Sequence, residues 1–245
     1  MAGYLKTQEV KKIMEILQKS RTEVMVNSFI QSTYNWMAIG LGLTGLVAFF
    51  ISNSPALMSL IFGNRLIFFG LIIGELAMVF YLSARVHKMA ASTATALFIF
   101  YAALNGATLS FIFIAYTSSS IASTFFVCAA TFGACSIYGM VTKRDLTSVG
   151  GFMFMGLIGI IIASLVNIFV QSSAISMIIS YIGVFVFIGL TAYDTQKLKE
   201  MARSQPAGLD AGVVRKGAIM GALTLYLDFI NMFLFLLHIL GGSRD

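Results

Sequence analysis

Seven apolar stretches run through this chain, and the links between them alternate between basic and nearly uncharged. The stretches are 29–52, 65–84, 94–116, 121–141, 149–170, 175–196 and 217–240. At about 1.5 Å of rise per helical residue, each reaches across a hydrocarbon core about 30 Å thick. Backbone groups in lipid must satisfy one another, so each stretch is expected to be a helix. A mean hydropathy of +0.90 points the same way. With 58% hydrophobic and only 11% charged residues, the chain lies outside the soluble globular class. Seven spans consume most of its 245 residues, so no sizeable soluble domain is expected. Residues 1–28 form an N-terminal segment and 29–245 a single transmembrane domain.

Fourteen of the 16 basic residues fall on one side of this arrangement. Lys6, Lys11, Lys12, Lys19 and Arg21 precede the first span; Arg85 and Lys88 follow the second; Lys143 and Arg144 follow the fourth. Lys197, Lys199, Arg203, Arg215 and Lys216 lie between the sixth and seventh. Arg65 and Arg244 fall opposite. The positive-inside rule then predicts a cytoplasmic N-terminus and an external C-terminus. An even number of spans would break the alternation. The net charge of +6 is therefore a topology signal, and nucleic acid is not expected as a partner.

Val10, Ile13, Met14 and Leu17 repeat at helical spacing among lysines and glutamates. That pattern predicts a short amphipathic helix on the cytoplasmic membrane surface. Nothing at the N-terminus has the pattern of a cleavable signal, so the first span is expected to be the first targeting element. The links Thr117–Ser120 and Gln171–Ala174 are short and uncharged, which predicts tight external hairpins. Pro206 to Gly212 is the turn cluster between the last two spans, which would form one long hairpin. Cys128 and Cys135 share a face of the fourth span but stand about 10 Å apart along it, too far for a disulfide. Glycines such as Gly151, Gly156 and Gly159 within the fifth span predict close helix packing.

Charges inside a membrane are costly and are functional candidates. Glu75 sits in the middle of the second span, Asp228 in the middle of the seventh, Asp194 near the inner end of the sixth and Arg85 at the inner end of the second. Counting from a turn near residue 209, Asp194 and Asp228 differ in depth by about 6 Å along parallel axes, a gap that tilt and side-chain reach can close. Two carboxylates at one depth on adjacent helices would share a proton and switch charge with pH. The alternative is that each pairs with its own local partner. Arg85 lies at the depth of Asp194 and Arg65 does not, so Arg85 is the candidate cation for a latch between the second and sixth spans.

Two motifs centre on these aspartates: Thr191-Ala-Tyr-Asp194-Thr-Gln196 and Leu223-Thr-Leu-Tyr-Leu-Asp228-Phe-Ile-Asn231-Met-Phe. With Tyr34-Asn-Trp-Met-Ala-Ile-Gly40 and the terminal Ser243-Arg-Asp245, they resemble the Bax-inhibitor-type (transmembrane Bax inhibitor motif) family over all seven spans. The resemblance implies an all-α bundle of seven transmembrane helices with a central helix wrapped by the others, in the inner membrane of a bacterium. It implies a calcium leak channel gated by a pH-sensitive pair at Asp194 and Asp228, where calcium itself is a candidate ligand. It implies a latch arginine at Arg85 and an ion-path glutamate at Glu75. Lipid, calcium, protons and other membrane proteins are then the partners.

Other readings of seven spans fare differently. Tyr193-Asp194 resembles the first motif of presenilin-like aspartyl proteases, but Asp228 follows Leu-Tyr-Leu and not their Gly-x-Gly. A retinal receptor needs a lysine within the seventh span, and none follows Lys216. A zinc hydrolase needs clustered ligands, whereas His87 and His238 fall at opposite membrane faces. An enzyme is therefore not expected. A non-conducting regulatory or scaffold protein, and a proton-coupled cation exchanger, stay open as alternatives.

Overall fold

The computed structural model describes residues 2–204 and 210–242, with side chains from Glu23 onward. Among the described residues there are nine α-helices and no strand: α1 Ala2–Ser52, α2 Pro55–Phe62, α3 Arg65–Arg85, α4 Ala91–Leu109, α5 Ile112–Ala115, α6 Ser118–Val141, α7 Thr147–Val170, α8 Ser173–Ser204 and α9 Ala211–Leu240. Seven segments are long and apolar enough to cross a membrane, α4 and α5 together making the third. They coincide with the seven stretches read from hydropathy.

Three features depart from the sequence expectation. The N-terminal segment and first span form one helix of 51 residues, with no proline or interior glycine between Tyr4 and Ile39 to break it. The side chains of the expected amphipathic segment before Glu23, the turn at 205–209 and the terminal 243–245 lie outside the described residues. The link after α1 is itself a short helix, started by Pro55 at its first position. The third span breaks at Ser110–Phe111. There the Ser110 hydroxyl donates to the Ala107 carbonyl at 2.7 Å, and the backbone bonds tighten to i→i+3 spacing. The hairpin between α7 and α8 is as tight as expected. Gln171 adopts a left-handed φ of 55°, and the Asn167 side chain clasps Ser172 by both a donated and an accepted bond.

Packing follows from where small residues fall. In α9, 56% of the apolar window is buried, against 6% in α3. Helix α9 packs against α1, α4, α6 and α8. Ala218, Gly221 and Ala222 let it approach closely: a Cβ on Gly221 would stand 2.7 Å from Leu198 Cδ2 and 2.9 Å from Thr33 Cγ2. The outer faces are apolar, with Leu66, Phe80 and Phe169 among the most exposed side chains, as a lipid-facing surface requires.

Candidate functional site

Helices α8 and α9 pack along their length, and their two aspartates meet in the seam. The Asp194 and Asp228 carboxyl groups lie within hydrogen-bonding range of each other. Carboxylates only accept, so this contact needs a proton on one of them. Asp228 is 5% exposed, and its Oδ2 has no hydrogen-bond partner. Asp194 is half-buried, and the cation acting on it is Lys197, one turn further along α8. The Lys197 ammonium lies 5.7 Å over the Tyr193 ring. On the other flank, the Tyr34 hydroxyl sits 3.2 Å from Thr195 Oγ1 and ties α1 to the same turn.

That turn of α8 is gripped from behind. Gln196, itself buried, accepts from the Leu146 N–H at 2.9 Å and donates to the Arg144 carbonyl at 2.8 Å. It thereby fastens the basic α6–α7 link to the helix that carries Asp194. Lys199 donates to the Met140 carbonyl near the end of α6. Gly139 lies against the Ala192 carbonyl, and Gly150 lies under the face of the Tyr193 ring. Gln196 ends the motif quoted above, but sequence alone gives no sign that its amide would hold a loop 50 residues upstream.

Arg85 and Glu75 lie elsewhere. Arg85 is exposed at the end of α3 and, among the described residues, pairs with no carboxylate. The structure therefore does not join it to Asp194, where sequence depth had made it the candidate partner. Glu75 is half-buried in the middle of α3 and accepts from the Thr108 hydroxyl at 2.9 Å. Thr108 belongs to a polar stripe on α4 with Asn105 and Tyr101, and the Asn105 amide reaches the Tyr101 hydroxyl at 3.4 Å. Tyr226 of α9 packs edge-on against Tyr101, with centroids 5.8 Å apart. Its hydroxyl lies 2.7 Å from Thr44 Oγ1. The Thr44 proton is claimed by the Gly40 and Ala102 carbonyls, so Tyr226 is the donor to Thr44. The spacing i, i+4, i+7 of Tyr101, Asn105 and Thr108 was the available signal for this stripe.

Among the described residues, no three of His, Cys, Asp and Glu converge as a metal centre would require. Asp194 and Asp228 thus offer at most four oxygens, and calcium takes six to eight. Any calcium there would keep water or backbone oxygens in its shell.

Residues 26–245 match the family model described as inhibitor of apoptosis-promoting Bax1. The chain is 54% identical to inner membrane protein YbhL of Escherichia coli strain K12 over 219 residues, covering 89% of this chain and 93% of that protein. It is 45% identical over 237 residues to a protein of Deinococcus radiodurans, covering 96% of this chain and all of the relative. It is 40% identical over 233 residues to a protein of Borreliella burgdorferi, covering 95% and all of the two chains.

Proposed function

This chain belongs to the Bax inhibitor family, and on that premise we propose that it is a pH-sensitive calcium leak of the bacterial inner membrane, gated by Asp194 and Asp228, with α9 as the central helix. The observation that carries the reading is the carboxyl-to-carboxyl contact in the α8–α9 seam, with one partner buried and one of its oxygens unpartnered.

The charge logic sets the direction. When the pair holds a proton, the two groups attract and Asp194 stays on Asp228. When both ionise, two like charges face each other in a low-dielectric seam, and one must swing toward a cation. Asp194 is the mobile partner, because it is half-buried and Lys197 is beside it. Pairing of ionised Asp194 with a cation, Lys197 or the Arg85 of the second span, then latches the basic end. Acid releases the latch, so the leak is expected to increase as pH falls. Glu75, in mid-membrane, belongs to the ion path. Calcium is cargo here, and no reaction chemistry is assigned.

Calcium flux into proteoliposomes across a pH series tests this. The parent should show a steep pH dependence, and Asp194→Asn and Asp228→Asn should each flatten it. Two variants that keep the parent's profile would refute the gate. Because the contact needs a proton, exchange of a cation for protons is the second reading. A flux that collapses when the proton gradient is dissipated, at constant pH on the entry side, would favour exchange over leak.

A further inference from the structure

Beyond the break at Ser110–Phe111, the short helix α5 packs on α1 and α6, whereas α7 packs chiefly on α8. The outer ring of helices is therefore not closed between α5 and α7. A cavity of about 510 Å³ occupies the gap, with α8 and α9 as its floor. It lies at the end of the bundle away from the basic links and from Asp194. Phe111 and Ile168 line it and are also exposed, so its mouth opens onto the lipid-facing surface.

The floor is apolar, with Ile112, Ile179 and Leu234 among its residues. The rest of the wall is not. Tyr116, Ser164, Ser176 and His238 line the cavity, and among the described residues their side chains have no hydrogen-bond partner. Elsewhere in the spans such hydroxyls are satisfied within their own helix. Thr33, Thr131 and Thr191 each donate to the carbonyl four residues back, and Ser180 at the inner end of the cavity does the same. Ser164 and Ser176 do not. Counted from the helix ends, Ser176 lies about 5 Å inside α8 and Ser164 about 9 Å inside α7. An unpaired hydroxyl in apolar surroundings is costly, so both call for a partner from outside the chain. Among the described residues, no lysine, arginine, aspartate or glutamate lines the cavity, and a charged head would find no counter-ion there.

A cavity of this size, mostly apolar with a few convergent polar groups, has the form of a small-molecule site. We propose that the α5–α7 cavity binds an uncharged amphiphile of the acylglycerol kind, which enters from the membrane. Its hydroxyl and ester oxygens meet Ser164, Ser176 and His238, and its acyl chain lies along Ile179 and Leu234. A serine hydroxyl both donates and accepts, which suits a head that carries donors and acceptors together. The absence of a counter-ion selects it over a fatty acid or an anionic phospholipid. Binding here does not rest on the leak reading.

A monoacylglycerol with a photoreactive diazirine in its chain is the probe, added to the full-length protein in phosphatidylcholine nanodiscs. Crosslinks mapped by mass spectrometry should saturate with probe and fall on the cavity segments of α5, α7 and α8. Unlabelled monoacylglycerol should displace them, and the fatty acid of the same chain length should not. Ser164→Ala combined with Ser176→Ala should weaken displacement by about tenfold, the scale of two hydrogen bonds. Ser164→Phe, which fills the cavity, should abolish saturable labelling. Labelling that rises without saturation, or that is equal in parent and both variants, would show bulk lipid alone and overturn the site. Equal displacement by the fatty acid would overturn the assignment to an uncharged head. Should Ser164→Phe fail to fold, the double alanine variant decides, with unchanged displacement as the refuting result.

Discussion

Asp228 is the residue whose surroundings make the strongest demand, because a buried carboxyl with one oxygen unpartnered depends on the proton it shares with Asp194. Asn at this position keeps the shape and supplies an N–H donor at every pH. Asp228→Asn is therefore expected to raise stability at neutral pH by about 1.5–3 kcal/mol, the worth of a hydrogen bond to a charged carboxylate that no longer waits on a shared proton. The sign with pH follows from the shared proton: the parent should lose stability as pH rises and the proton leaves, while the variant stays flat. Thermal melts in detergent across a pH series read this, and a parent curve parallel to the variant's would remove the proton from the account. The same residue scale separates the two candidate latch cations. Lys197 acts on Asp194 in this structure, and Arg85 does not. Lys197→Ala should raise basal calcium leak at neutral pH more than Arg85→Ala, with Arg65→Ala as the control at the opposite end. A larger effect from Arg85 would mean that the second span closes onto Asp194 in the latched state. Both aspartates were legible from sequence because charge in an apolar span stands out. Gln196 gave no sign, and Asn105 and Thr108 only the helical spacing of their stripe, since uncharged polar residues are common in spans and their importance lies in partners that only the fold supplies.

Among the elements, close approach between helices depends on a few glycines whose neighbours could not be read from the chain. A Cβ on Gly106 would lie 2.6 Å from the Thr44 carbonyl and 2.9 Å from Val47 Cβ, in the α1–α4 contact. Gly106→Ala is therefore expected to cost about 1–3 kcal/mol, as overpacking does, and to disturb the Thr44–Tyr226 hydrogen bond. Gly42, on the same α1 helix, has nothing within 4 Å, and Gly42→Ala should leave the melting temperature within error. Equal effects from the two would show that the α1–α4 contact is looser than described. Spans were readable from hydropathy because lipid imposes one length and one backbone solution. Their neighbours were not, because an all-apolar helix has no polar face to mark which side is buried. The same ambiguity hid the break at Ser110, where a side-chain hydroxyl competes for a backbone carbonyl inside an otherwise continuous apolar run.

At the scale of the whole molecule, orientation is set by charge and not by packing, since a bundle packs equally well either way up. Fourteen of 16 basic residues share one end, including the links gripped by Gln196 and the Arg215 that stacks 5.4 Å over Trp36. Carrying these charges across the membrane costs more than retaining them in the cytoplasm, so that end is expected inside. Seven spans then put the C-terminus outside. Reporters fused after Asp245 and within the 142–146 link should give opposite signals, external and cytoplasmic respectively. The outcome matters beyond topology. Asp194 and its cations lie toward the basic end, so this orientation makes the gate respond to cytoplasmic pH. An externally reporting 142–146 link would invert the bundle, and the pair would then sense the outside.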